Sequence, residues 1–129
     1  MKKTLLAALT TVFLVLSAGA SADMVANVYS CTLKEGKTVE DAHAANGMWL
    51  KWARATAGTD EIRSSYTTAI VGNLEGFMWV DTYPDLAAWA KVNSANLEEE
   101  NPEVAEALDA LSDCGENHLY NMVESKVAD

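Results

Sequence analysis

The chain of 129 residues contains 9 lysine and arginine residues against 19 aspartate and glutamate residues, a formal net charge of −10. Its basic residues are scattered, which disfavours nucleic-acid binding and adhesion to anionic membranes, because both require clustered positive charge. So acidic a surface suits solubility in an extracellular space, and we prefer this interpretation to a cation-binding role.

The N-terminal segment has the pattern of a secretory signal peptide. Lys2 and Lys3 precede an apolar run from Leu5 to Leu16, and Ala20-Ser21-Ala22 is an A-x-A cleavage signature. The run is shorter than the roughly 20 apolar residues that a membrane span requires. We therefore expect residues 1–22 to be a cleaved bacterial signal peptide and the protein to be periplasmic or secreted. An uncleaved anchor helix is the alternative.

The expected mature chain, residues 23–129, has a length that suits a single domain. Without the two signal lysines its charge is 7 − 19, or −12. Its two cysteines, Cys31 and Cys114, are an even number in an oxidising compartment, which predicts a disulfide. Closing that loop of 84 residues stabilises the fold by roughly 4 kcal/mol in the chain-entropy model. A redox-active pair is disfavoured, since there is no C-x-x-C motif.

The first half of the mature chain predicts a strand and a long helix. The strand runs from about Val25 to Leu33 and ends at a turn. The helix begins at Thr38, with Asp41 completing a variant of the capping box, and ends near Ala57-Gly58. Helical spacing places six residues on one face of this helix: Val39, Ala42, Asn46, Trp49, Leu50 and Ala53.

Two strands and a second helix follow. The second strand is predicted from Arg63 to Val71, and a glycine-bounded loop over residues 72–76 turns the chain back. The third strand, residues 77–80, shows no polar alternation, which predicts that both of its faces are covered. Pro84 and Asp85 open helix two, in which Leu86, Trp89, Ala90 and Asn93 have helical spacing.

A third helix and a last strand complete the pattern. Asn101-Pro102 is a cap followed by a first-turn proline, and the helix that it starts carries Val104, Leu108 and Leu111. Gly115 is expected to end this helix. The last strand is predicted from about residue 117 to residue 127.

The order βαββαβ, with an extra helix before the last strand, predicts an α+β, ferredoxin-like fold with an antiparallel four-stranded sheet in the order 4-1-3-2. The end of strand one then lies beside the start of strand four, which agrees with a Cys31–Cys114 bridge. Both faces of this sheet carry bulky side chains, and the sequence does not show which of them packs on the helices. A second copy is the simplest cover for the remaining apolar face, so we predict a homodimer.

The architecture, together with the Tyr83-Pro84-Asp85 helix start after the strand Phe77-Met78-Trp79-Val80, resembles the dimeric α+β barrel superfamily. That superfamily includes antibiotic-biosynthesis-type monooxygenases and stress-response barrel proteins. The resemblance covers nearly the whole mature chain and implies a sheet-to-sheet dimer, often with a cavity between sheet and helices. It does not imply one chemistry, since a fold can host many functions. No stretch of the sequence matches a catalytic signature of a named member.

Titratable residues are predicted to gather at one edge of the sheet. We expect strands one and three to end where strands two and four begin, which would bring together His43, Asp81 and His118. Asp41, Asp85 and Arg63 would lie near. Two histidines and a carboxylate can ligate a metal or move a proton. Alternatively, both histidines are surface residues and Asp81 caps a helix; this interpretation is preferred, because no metal-ligand spacing exists.

Asn46 is an unusual residue for the apolar face of a helix, and it needs a buried partner there. It either bonds a structural partner, the preferred interpretation, or orients a ligand in a cavity between sheet and helices. Four residues would form the walls of such a cavity: Trp49, Trp89, Tyr66 and Met78.

The leading functional hypothesis from the sequence is an exported protein that binds a small, largely apolar ligand. The alternatives are a cofactor-independent oxygenase or isomerase acting on an aromatic compound, and a structural dimer without a ligand. No catalytic Ser-His-Asp arrangement, glycine-rich phosphate loop or zinc-type cluster is present, so no cofactor or metal is predicted. A pocket that contains Asn46 and a titratable residue would favour an enzyme, whereas a purely apolar pocket would favour simple binding.

Overall fold

The seven helices and strands follow the predicted order in the computed structural model, which describes residues 23–128. The predicted signal peptide and its cleavage site lie outside the described residues. The elements are β1 (Met24–Leu33), α1 (Val39–Ala57), β2 (Arg63–Thr67), β3 (Phe77–Tyr83), α2 (Leu86–Leu97), α3 (Pro102–Leu111) and β4 (Ser112–Met122).

The four strands form one sheet in the order β2-β3-β1-β4, and every neighbouring pair is antiparallel. This confirms the predicted α+β, ferredoxin-like fold. Alternate residues of each strand face the helices, and Tyr29 of β1 and Trp79 of β3 belong to that set. Their neighbours Val28 and Met78 therefore lie on the opposite, open face of the sheet.

The long helix α1 begins and ends as predicted. Thr38 and Asp41 form a reciprocal capping box, and Gly58 ends the helix in the left-handed conformation with a φ of 73°. Small side chains on its buried face let the helix approach the sheet closely: Ala42, Ala45, Ala53 and Ala57. The prediction that Val39 is on this face is wrong. It is 42% exposed, and the buried face of the helix begins at Ala42.

Helix α2 has the predicted cap, with the Asp85 carboxylate accepting a hydrogen bond from the Ala88 amide at 2.7 Å. Its buried face differs from the predicted one and consists of Ala88, Val92 and Ala95. Leu86, predicted to be buried, is 55% exposed. Because alanines occur on both the buried and the exposed side of this helix, hydrophobic spacing alone does not determine which side faces the core.

Strands β2 and β3 differ from their predicted lengths. Strand β2 ends at Thr67, opposite Met78, because β3 offers no earlier partner than Phe77. The expected continuation is loop, and Ile70 and Val71 are 92% and 89% exposed. Strand β3 extends to residue 83 and alternates between buried and more exposed residues. The prediction that both of its faces are covered is therefore wrong for the described chain.

Strand β4 starts five residues earlier than predicted. Helix α3 ends at Leu111 and the chain passes directly into the strand, so Gly115 lies within β4 and does not end the helix. Pairing with the end of β1 explains this early start, since Leu33 lies opposite Ser112. Strand β4 also ends early, at residue 122, where β1 has no further residues to pair with.

The predicted disulfide between Cys31 and Cys114 is confirmed. The two residues lie directly opposite each other in the β1–β4 ladder, with Cα atoms 4.0 Å apart. Such a bond indicates an oxidising, extracellular type of environment. Within residues 23–128, no helix is both long and apolar enough to cross a lipid bilayer.

The open face of the sheet carries large apolar side chains that nothing in the described chain fully covers. They are Met24, Met78, Tyr120 and Met122, which are 37–51% exposed. Isolated apolar residues are normal on a surface, but a contiguous group on one sheet face is typical of an interaction surface.

Candidate functional site

A row of polar residues crosses the helix-facing side of the sheet. Asp81 of β3 lies opposite Ser64 of β2 on one side and opposite Asn27 of β1 on the other. Asp81 is 4% exposed and Asn27 is 3% exposed. Buried polar groups cost free energy unless they are hydrogen-bonded, so such a row in a hydrophobic core requires a specific network.

Helix α1 supplies the third member of that network. The Ser64 hydroxyl donates to Oδ1 of Asp81 at 2.5 Å, and it accepts from the Asn46 amide nitrogen at 3.0 Å. Asn46 thus has a hydrogen-bond partner, as its position on the helix predicted, in the partly buried Ser64. The chain Asn46–Ser64–Asp81 joins α1, β2 and β3, and it fixes the side chain of Asp81 in one orientation.

Burial raises the pKa of Asp81 from its ordinary value of 3.8 to about 7. Loss of solvation is the dominant cause, and the hydrogen bond from Ser64 opposes it. A carboxylic acid with a pKa near neutrality can exchange a proton at physiological pH. Perturbed groups of this kind concentrate at functional sites.

The network accommodates both protonation states of Asp81. With the carboxylate ionised, Ser64 donates to it. With the carboxyl protonated, Asp81 can donate to Ser64, whose hydroxyl then donates to Oδ1 of Asn46 at 3.3 Å. Asn46 is the group that makes this exchange feasible, because its amide offers both a donor and an acceptor to the same hydroxyl.

Tyr29 places a second hydroxyl close to the same region. Its oxygen accepts a hydrogen bond of 2.8 Å from the Asn27 side chain. Burial raises the pKa of Tyr29, and the negative charge of Asp81 raises it further. Tyr29 therefore stays protonated, and its hydroxyl can donate a hydrogen bond to a bound molecule.

A half-open cavity of about 380 Å³ lies between the sheet and the helices at this point. Ligand pockets in proteins commonly start at about 300 Å³. Asp81, Tyr29 and Asn46 line the cavity, together with Lys34, Trp49, Trp79, Asn96, Leu108, Asp109, Ser112, Asp113 and Cys114. Aromatic walls with a few convergent polar groups are the usual composition of a small-molecule site.

The mouth of this pocket is acidic. The exposed residues Asp109 and Asp113 line it together with Lys34, whose ammonium group bonds the Asp109 carbonyl oxygen and lies 3.5 Å from the Asp113 carboxylate. The positive charge of Lys34 is therefore already engaged by its neighbours.

A larger hollow of about 500 Å³ follows the outer side of α1, near Lys51 and Arg54. It is more open than the cavity beside Asp81, and none of its lining residues is buried. We therefore regard the cavity beside Asp81, hereafter the Asp81 pocket, as the candidate site.

Three of the residues predicted to bind a ligand lie together in the Asp81 pocket: Asn46, Trp49 and Asp81. Tyr66 faces the helices beside them but packs on Phe77, with ring centroids 4.3 Å apart, and His43 lies 5.9 Å from the Tyr66 ring. These two residues lie near the pocket without lining it.

The remaining predicted ligand contacts are elsewhere. Met78 and His118 are on the open face of the sheet, the latter 3.4 Å from Glu116. Trp89 packs in a separate part of the core with Val92.

The expected gathering of His43, Asp81 and His118 at one edge is wrong. Strands β1 and β3 are antiparallel, so the end of β1 lies beside the start of β3, and Cys31 is opposite Phe77. Antiparallel neighbours cannot both end at the same edge. The amino-terminal end of α1 and the end of β3 therefore lie at opposite ends of the sheet. Among residues 23–128, no group of three or more His, Cys, Asp or Glu side chains could hold a metal ion.

Sequence reasoning missed Ser64, Asn27 and Tyr29. Asn27 carries the clearest overlooked signal, because it occupies a core-facing position in a strand of otherwise apolar inward residues. Ser64 has no comparable signal in the sequence. It bonds Asp81 because the β2–β3 register places the two residues opposite each other, and only the folded sheet defines that register. Of the α3 residues in the pocket, Leu108 was predicted as an apolar position of the helix, whereas Asp109 carried no signal in the sequence.

Comparisons of the sequence with protein-family models and with curated proteins find no match. Among solved structures, the chain is similar to SnoaB, a cofactor-independent oxygenase from Streptomyces nogalater. The TM-score is 0.57 at 15% identity, over 81% of this chain and 97% of that one. It is also similar to an uncharacterised NIPSNAP-like domain protein from Burkholderia xenovorans. That TM-score is 0.53 at 16% identity, over 84% and 90% of the two chains. These similarities show that the chain shares its α+β, ferredoxin-like fold with these proteins.

Proposed function

We propose that this protein binds a small, largely apolar or aromatic molecule in the Asp81 pocket. The observation that carries the proposal is the pocket itself, where aromatic walls surround a buried, hydrogen-bonded carboxylate. Trp49 and Trp79 supply apolar surface, while Asp81 and Tyr29 supply an acceptor and a donor that fix the orientation of the bound molecule.

Native mass spectrometry tests this proposal on protein secreted through its own N-terminal segment. We expect an additional mass that survives gentle ionisation. Leu108 lines the pocket, so Leu108→Trp should fill it and abolish the additional mass. Leu86→Trp is the matched control, because Leu86 lies on the exposed side of α2. Retention of the mass by Leu108→Trp would place the ligand elsewhere and contradict the proposal.

The proposal includes export and dimerisation. We propose that residues 1–22 are removed on export to the periplasm or the medium, and that residues 23–129 act as one domain. The disulfide supports export. The exposed methionines and tyrosine of the open sheet face support a homodimer in which a second copy covers that face.

Light scattering at micromolar concentration tests the homodimer. We expect twice the chain mass for the natural protein and a single chain mass for Met78→Glu, which places a charge on the open face. Leu86→Glu adds the same charge on helix α2 and should remain dimeric. A natural protein that is monomeric at this concentration would contradict the proposal.

A second candidate function is enzymatic, and the raised pKa of Asp81 favours it. In this alternative Asp81 acts as a general base that takes a proton from an acidic C–H or O–H group of an aromatic compound. Isomerisation, or reaction of the resulting anion with dioxygen, would follow. The fold similarity to the cofactor-independent oxygenase SnoaB is compatible with this alternative.

The binding function and the enzymatic function predict different results for conversion of the ligand by the natural protein and by Asp81→Asn. The molecule identified by mass spectrometry is incubated in air with the natural protein and with the variant, and its mass is followed over time. Conversion by the natural protein that is lost in a variant still able to bind supports the enzyme. An unchanged ligand in both incubations supports a binding protein.

A further inference from the structure

The Asp81 carboxylate has no cationic partner in the described chain. The ion pairs found within residues 23–128 are Lys34 with Asp113 and His118 with Glu116. The nearest hydrogen-bond donor to Asp81 is the neutral hydroxyl of Ser64. A buried carboxylate is costly unless a positive charge compensates it, so the ionised form of Asp81 presents an uncompensated negative charge to a molecule that enters the pocket.

The pocket walls around this carboxylate are aromatic. Trp49, Trp79 and Tyr29 all line the same cavity as Asp81. The faces of aromatic rings attract cations through their quadrupoles, and tryptophan does so most strongly. A carboxylate and several aromatic rings around one small cavity form the combination that binds organic ammonium groups.

The charges at the mouth point to the same class of ligand. The exposed residues Asp109 and Asp113 line the pocket, and the Lys34 ammonium group bonds the Asp109 backbone carbonyl and lies 3.5 Å from the Asp113 carboxylate. The expected mature chain has a net charge of 7 − 19, or −12. An anionic ligand would be repelled during approach, whereas a cation would be concentrated at the pocket.

We infer that the ligand of the Asp81 pocket is a small organic amine in its ammonium form, with an aromatic or other apolar body. Its nitrogen lies against the Asp81 carboxylate, and its apolar part packs on Trp49 and Trp79. This inference rests on the proposed binding function and deepens it. A cavity of about 380 Å³ suits an arylalkylamine of modest size.

Three probes that share a 2-phenylethyl group and differ in charge test the inference: 2-phenylethylamine, 2-phenylethanol and 3-phenylpropionate. Each is titrated into the uniformly ¹⁵N-labelled protein at pH 8, and the indole N–H signals of Trp49 and Trp79 report binding in the pocket. We expect the amine to bind at least 10-fold more tightly than the alcohol, and the carboxylate to bind more weakly than both.

Asp81→Asn separates the carboxylate from the pocket shape, because asparagine retains an acceptor for Ser64. We expect this variant to bind the amine at least 10-fold more weakly, and to lose a smaller factor of its affinity for the alcohol, because the asparagine oxygen still accepts a hydrogen bond but carries no charge. Asp60→Asn removes the same charge from a residue outside the pocket and should change neither value by more than 2-fold.

The outcomes distinguish the inference from the proposed function. Equal affinity for the alcohol and the amine, measured at the two tryptophans, overturns the amine ligand and leaves the pocket as a binding site. Preferential binding of 3-phenylpropionate would likewise overturn the amine ligand and leave the pocket as a binding site. If none of the three probes shifts these signals, the amine inference fails, and the Leu108→Trp comparison still decides whether the pocket binds a molecule.

Discussion

The two faces of the sheet are built from the same strands but have opposite designs. The helix-facing side is closed, and it contains a polar row centred on Asp81 with an adjoining pocket. The open side is largely apolar and partly exposed, and its ionisable residues Arg63 and His118 lie on the edge strands β2 and β4. Consecutive residues of a strand point to opposite faces of the sheet and therefore have different roles. The inner residue builds the core and the site, and the outer residue builds a surface.

Adjacent residues of β3 give the largest expected contrast between the faces. Trp79 is 6% exposed and packs at right angles to Phe77, with ring centroids 5.3 Å apart, whereas Met78 is 37% exposed. Trp79→Ala should lower the free energy of unfolding by about 3–5 kcal/mol, because it opens a large cavity in the core. Met78→Ala should lower it by less than about 1 kcal/mol in the monomer.

Urea unfolding followed by circular dichroism measures both changes, under dilution sufficient to keep the natural protein monomeric. Equal losses from the two substitutions would show that the open face is as closely packed as the core. The assignment of the two faces would then be wrong.

The disulfide is the next largest contribution, and it belongs to the inner face. Cys31 is 5% exposed and packs with Phe77 and Leu111, while Cys114 reaches the pocket wall. Reduction should lower the free energy of unfolding by roughly 4 kcal/mol, because it releases the loop of residues 31–114 in the unfolded state. Unfolding in urea with and without dithiothreitol gives the difference. A loss below about 1 kcal/mol would mean that strand pairing alone holds β4 in place.

Because the Asp81 carboxyl group is buried on the inner face, we expect the free energy of unfolding to depend on pH. The pKa of Asp81 is raised in the folded protein from 3.8 to about 7, so the native state holds this proton more tightly than the unfolded state does. The stabilising contribution of the protonated group is complete below pH 4 and is lost as the pH rises to about 7. The full loss is on the order of 4 kcal/mol as an upper bound.

Asp81→Asn removes this titration, and its effect should therefore depend on pH. The variant should be more stable than the natural protein at pH 8 by up to that amount, and of similar stability at pH 4. Asp60→Asn, at an exposed position, serves as the control for the change in net charge. An equal effect of Asp81→Asn at both pH values would mean that Asp81 is not a desolvated acid.

The order of elements, the caps of the helices and the disulfide could be predicted from sequence, because each depends on local chemistry or on the overall topology. The cap of α1 is set by Thr38 and Asp41 alone, and the bridge by two cysteines in an oxidising compartment. Strand ends could not be predicted in the same way. Thr67 ends β2 because its partner strand starts at Phe77, which is a property of the pairing and not of β2.

The candidate site shows the same limit. Asn46 was identifiable because a polar residue on an apolar helix face is anomalous in any fold. The partnership of Ser64 with Asp81 depends on the β2–β3 register, and the pocket depends on how α3 closes over β4. The wrong cluster of His43, Asp81 and His118 has two causes. The direction of β3 relative to β1 was mistaken, and His118 lies on the opposite face of the sheet from Asp81.

Consecutive serines of β2 give the smallest and most selective contrast between the faces. Ser64 points inward to Asp81 and Asn46, whereas Ser65 is exposed on the open side, opposite Val80. Ser64→Ala should lower the free energy of unfolding at pH 8 by about 1–3 kcal/mol, because it leaves a buried carboxylate without its donor. Ser65→Ala should change it by no more than about 0.5 kcal/mol.

The same pair of variants tests how the network controls the proton. The Ser64 hydrogen bond lowers the pKa of Asp81 against the larger effect of burial, so Ser64→Ala should raise that pKa further, and Ser65→Ala should leave it unchanged. Carbon-13 NMR of the carboxyl group follows the titration directly. A destabilisation by Ser64→Ala that is the same at pH 4 and pH 8, with no shift of the titration, would assign the hydroxyl to packing. A shift accompanied by greater loss at pH 8 would show that the inner row sets the charge presented to the pocket.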